Sequence, residues 1–168
     1  TVEKIPDPEL PDLPYMKEAP DVHEWYMFED EIWNIGEEIR QLVVKHKKKF
    51  TEEQITRIIS ICLDRRAKRG RQSFVMLLGR KNYCNYSNAL IPLLNDGDVD
   101  GHVIDTLYKM HANGYVGLIT PFLNHNRTWV RNTAKTLKTC IVSSIWKGFI
   151  IFPNASRLIL LVFSVLAV

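Results

Sequence analysis

The run Asn95-Asp96-Gly97-Asp98-Val99-Asp100-Gly101-His102-Val103 sets three carboxylates at alternate positions ahead of a glycine. That is the opening of a calcium loop, which needs oxygen ligands at positions 1, 3 and 5, glycine at 6, a hydrophobe at 8 and a bidentate acid at 12. Asp96, Asp98, Asp100, Gly101 and Val103 meet the first five demands. The closing position is Leu107, which has no oxygen to offer, and Asp105 falls short of it. Without the bidentate acid much of the affinity is gone. The run therefore reads as a polar turn between helices, with Asp98 or Asp100 capping the next one. A weak calcium site on Asp96, Asp98 and Asp100 is the alternative.

Other residues that could carry chemistry are scattered or unpaired. The five histidines show no HxxxH or HExxH spacing, and no GxSxG, P-loop or GxGxxG occurs. Cys84 has no neighbouring base to activate it. No enzymatic activity and no cofactor are expected. Cys62 and Cys140 each sit among apolar residues, which suits buried free thiols of a reducing compartment. No basic-then-apolar leader opens the sequence, so a cytoplasmic location is expected.

Charge is strongly segregated behind a net value of +3. Residues 1–38 hold twelve acids and two bases, whereas residues 106–168 hold seven bases and no acid. Two basic runs stand out, Lys45-His46-Lys47-Lys48-Lys49 and Arg65-Arg66-Ala67-Lys68-Arg69-Gly70-Arg71. Both fall at helix ends, where they offset the helix dipole or form a patch for phosphates or an acidic partner. Arg127, Trp129 and Arg131 make a basic–aromatic cluster. Trp129 could stack on a base, anchor a partner or cover the core.

The elements that must position these residues are helical. Residues 1–20 contain five prolines among acids and read as an extended arm. Trp25, Phe28, Ile32, Ile35, Ile39 and Leu42 then follow steps of three and four, the buried stripe of a long helix. On this reading Glu29 and its fellow acids lie on the wet side. Thr51-Glu52-Glu53-Gln54 is a capping box, with Phe50 and Ile55 placed as a hydrophobic staple. The helix it starts should bury Ile55, Ile58, Ile59 and Cys62 and end near Arg66.

Leu77, Leu107 and Leu137 are 30 residues apart. Leu63, Leu94 and Leu123 close three preceding apolar segments, and Pro92 and Pro121 recur 29 residues apart. Each unit reads as helix, short polar turn, helix. One such pair cannot bury its apolar face alone, but three stacked pairs make a continuous core.

This pattern resembles the HEAT-like repeat family in its short form of about 30 residues per helix pair. The match covers roughly residues 51–144. LITPFLNHNRTWVRNTAKTLKTC fits best, with Val130-Arg131, Ala134 and Leu137 in the family's "VR..A..L" positions. The second unit has Asp100-Gly101 where Val-Arg is expected, and the first has Gly70-Arg71. The resemblance implies an all-α, right-handed α–α superhelix, a HEAT-like solenoid of antiparallel helix pairs. The repeat domain would span residues 21–144, followed by an apolar helical segment at 145–168. It also implies a concave face lined by second helices.

The function expected on that resemblance is a non-enzymatic scaffold or adaptor that binds a protein partner. Arg66, Arg69, Arg71, Arg127, Trp129, Arg131 and Lys135 are the expected contacts. The rival is a nucleic-acid-binding or DNA base-repair protein using the same basic surface. The run Leu158–Val168 is too short to span a bilayer, which needs about 20 residues. A membrane anchor is therefore not expected, and packing on the body or on a second copy is.

Overall fold

A computed structural model describes residues 27–151, so the proline-rich arm and most of the apolar terminal segment lie outside the described residues. All regular structure within them is helical, and they contain no strand. The α-helices are α1 (Met27–Lys45), α2 (Glu52–Leu63), α3 (Arg71–Leu77), α4 (Asp100–Lys109), α5 (Val116–Ile119) and α6 (Thr128–Ile151). Tighter 3-10 turns make up Arg65–Gly70, Lys81–Asn95 and Thr120–Asn124. The helix α6 continues through position 144 without a break.

Local chemistry accounts for where α2 begins and ends. Gln54 N donates to Thr51 Oγ1 at 3.3 Å, and Thr51 N donates to Gln54 Oε1 at 3.0 Å, so the capping box is formed. The helix buries Ile55, Ile58 and Cys62, while Ile59 is half-buried. It stops at Leu63, not near Arg66. Asp64 leaves the helical region and its carboxylate accepts from the Arg66 backbone N–H at 3.2 Å. A short acidic side chain that bonds nearby backbone competes with continued helix in this way. Lys68 then turns the chain with a φ of 38°.

The buried face of α1 differs from the sequence expectation. Ile32 is buried, but Ile35 and Leu42 are 38% and 57% exposed. The contact edge runs instead through Glu29, Ile32, Gly36 and Val43. Gly36 explains the rotation, because a Cβ there would stand 2.1 Å from Ser73 Oγ on α3. The missing side chain lets the two backbones approach and chooses the face that meets α3. Trp25 lies outside the described residues.

Packing links α1, α3, α4 and α6 in succession, each touching the next. The preceding segments α2, 81–95 and 116–124 pack on α3, α4 and α6 respectively. Leu77, Leu107 and Leu137 are all buried and share one core. Leu94 is buried and Leu123 half-buried, but Leu63 is 44% exposed because Cys62 takes the inward position before the chain turns. Pro121 stands in the first turn of its segment, whereas Pro92 lies inside the 81–95 run.

Candidate functional site

Arg71 opens α3 and was expected to face a partner; it is instead fully buried. Its Nε donates to Lys68 O at 2.7 Å and its Nη1 to Cys62 O at 3.2 Å. Nη1 also donates to Asp96 Oδ2 at 2.9 Å, and Nη2 lies 3.7 Å from Asp98 Oδ2. A buried guanidinium must be paired and hydrogen-bonded, and the polar turn that follows supplies the partner. Beside it, Gln72 Nε2 donates to Asp98 O at 2.6 Å. The turn at 95–99 is therefore tied to the start of α3.

A second contact spans the same separation further along the chain. His125 Nε2 lies 3.1 Å from Asp100 Oδ2, and both this pair and Arg71–Asp96 are separated by 25 residues. Asp96, Asp98 and Asp100 consequently do not converge on one point. Asp96 faces Arg71 and Arg65, Asp98 faces Arg69 and Arg71, and Asp100 faces His125. Among the described residues, no group of three or more His, Cys, Asp or Glu is placed to hold a metal ion. Nor does Asp98 or Asp100 cap α4 from outside. The cap position is Val99, and Asp96 Oδ1 instead accepts from Asp98 N within the turn.

The other expected contacts separate into used and open residues. Arg66 lies back on Asp64 with two bonds, and the guanidinium holds that carboxyl below its usual range. Arg69 Nε is 3.6 Å from Asp98 Oδ1, and its backbone N–H donates to Glu29. Arg131, like Arg71, turns back on the preceding turn, donating to His125 O, Asn126 O and Thr128 Oγ1. It does not reach out as expected. Arg127 is half-buried, Lys135 is exposed, and Trp129 is 41% exposed. The Trp129 ring meets His102 edge-on with centroids 5.3 Å apart. It also lies over Gly101, where a Cβ would stand 2.6 Å from Trp129 Cη2. That close approach leaves room for nothing larger than glycine at position 101.

Sequence reasoning passed over a trough that crosses the ends of α3 and α4. One depression, of about 470 Å³, is bounded by Trp33, Glu37, Arg40 and Val44 of α1 and by Met76 and Arg80. The next, of about 590 Å³, is bounded by Lys81, Tyr108, His111, Leu137 and Cys140. Gly79 and Lys109 border both, so the two depressions adjoin. Cys140 is exposed there, not buried as expected, while Cys62 is fully buried and its thiol is pushed up to about 12 by burial. The periodic pattern held a trace of the trough, since Val44, Met76 and Tyr108 are apolar positions that no stripe required.

Two titratable groups were also missed. Glu29, assigned to the wet side, is buried and accepts from Arg69 N at 3.2 Å; burial raises its pKa. His102 has a buried Nδ1 with no hydrogen-bond partner among the described residues, and burial pushes its pKa down to about 4. Among the described residues no helix is long and apolar enough to cross a membrane. Comparisons of the chain with protein-family models, with curated proteins and with solved structures found no match.

Proposed function

We propose that the chain is a non-enzymatic helical-repeat adaptor that binds a protein partner along the exposed side of its row of second helices. In this reading α2 with α3, 81–95 with α4, and 116–124 with α6 are three antiparallel pairs of a right-handed HEAT-like superhelix. α1 extends the row of second helices. The links at separations of 25 residues hold each turn to the preceding pair and make the face stiff. A stiff face loses little entropy on binding.

The observation that carries the reading is the trough, where half-exposed apolar side chains sit among charges in the manner of a protein interface. The rival nucleic-acid reading has weaker support. Arg65, Arg66, Arg69 and Arg71 all lie against Asp64, Asp96 or Asp98, which leaves less positive field than the sequence run suggests.

Affinity capture from a native extract, with and without nuclease, separates the two. Protein partners retained after nuclease treatment and through moderate salt are expected. Capture that vanishes with nuclease overturns the adaptor reading in favour of nucleic acid.

A further inference from the structure

We infer that the trough takes an acidic protein segment whose apolar side chains enter its two depressions. The inference rests on the adaptor reading and names its partner class. Around the trough stand Arg40, Arg80, Lys81 and Lys109, against a single acid, Glu37. Arg40 is joined to Glu37 and Lys109 to Asp105, so these charges are partly offset. Arg80 and Lys81 have no such carboxylate among the described residues. Arg80 Nη1 donates to Lys48 O at 2.9 Å, which brings the Lys45–Lys49 run to the same end of the trough. The α6 wall comes from a stretch without any acidic residue. The net charge around the trough is therefore positive.

Charge alone would suit a phosphate backbone equally. The lining decides between them. Leu77, Leu137 and Ile141 form a buried apolar floor, while Val44 and Tyr108 are 57% and 38% exposed at its sides. Such a surface is satisfied by apolar side chains that enter and acids that flank them, the pattern of an amphipathic segment laid in a groove. Complementary charge would then set orientation and encounter rate, and the apolar anchors would supply hold.

The test uses the full chain and two labelled peptides of about 16 residues, with leucines at i, i+3, i+4 and i+7. One carries glutamates at the remaining positions and the other lysines. Fluorescence anisotropy should show saturable binding of the acidic peptide alone. Lys81→Glu and Tyr108→Ala should each weaken it by about tenfold, and Arg57→Glu, the same reversal of charge on α2 outside the trough, should not. Unchanged thermal melts would show that all three variants fold.

Equal binding of both peptides, or equal loss with Lys81→Glu and Arg57→Glu, overturns the inference. Displacement of the peptide by a single-stranded oligouridine overturns it in favour of nucleic acid. A change in sedimenting mass of the chain alone with Tyr108→Ala overturns it in favour of a second copy. Failure here with nuclease-resistant capture intact leaves the adaptor reading standing. Nuclease-sensitive capture removes that reading whatever the peptides do.

Discussion

Arg71 Nη1 stands 2.9 Å from Asp96 Oδ2, on an arginine side chain that is 1% exposed. One residue opens α3 and the other sits in the turn before α4. The pair therefore joins α3 to the turn before α4 through an ion pair largely removed from water. Removing one partner of such a pair strands the other charge. Asp96→Ala should destabilise the fold by about 3 kcal/mol in urea unfolding. Arg71→Lys should not preserve stability, because an ammonium cannot reproduce the fork that reaches Lys68 O, Cys62 O and Asp96 together. An Asp96→Ala midpoint equal to that of the wild type would show that the link contributes nothing.

At Gly101 the close approach of α4 to Trp129 and Val130 leaves no room for a side chain. Gly101→Arg should lower stability by about 2 kcal/mol through overpacking. Trp129→Ala in the same background should recover part of the loss, as expected of residues in contact. Thermal unfolding of the four proteins of the cycle measures this. Additive effects would place the strain elsewhere.

His102 should make the fold sensitive to mild acid. Its pKa is pushed down to about 4 from an ordinary 6.5 by burial, so between those values the folded chain binds fewer protons than the unfolded one. This contribution to stability is complete above about pH 6.5 and is lost as pH falls through the window, by up to roughly 3 kcal/mol. Glu29 acts in the opposite sense. Its raised pKa keeps the proton in the folded state, so its effect erodes stability as pH rises above the usual 4.5. Replacing His102 isolates one from the other. His102→Leu should flatten the acid limb of stability against pH, measured by urea midpoints from pH 7 to 4.5. An unchanged slope would mean that the imidazole protonates freely in the fold.

The cysteines should differ sharply toward a thiol reagent. Cys140 is exposed at the trough and should react with 5,5′-dithiobis(2-nitrobenzoic acid) in the native protein. Cys62 is buried and its thiolate is disfavoured, so it should react only as fast as the chain opens. Comparing Cys62→Ser and Cys140→Ser by stopped-flow absorbance identifies the fast thiol. Rapid modification of Cys62 would contradict its burial.

The sequence by itself determined what depends on neighbours along the chain. Steps of three and four marked the helices, Thr51 and Gln54 marked a helix start, and leucines thirty positions apart marked the shared core. Such signals are local or periodic, and the structure realises them at Leu77, Leu107 and Leu137. What only the tertiary structure decided is the fate of groups whose partners lie far off in sequence. Glu29 reads as a wet acid until Arg69, forty residues on, meets it. Arg71 reads as an open cation until Asp96 and two carbonyl groups enclose it. The stripe of α1 turns because Gly36 admits Ser73, a contact that no period encodes. A charge counted along the chain is not the charge left after folding, because burial makes an ion costly and brings an opposite one across to meet it.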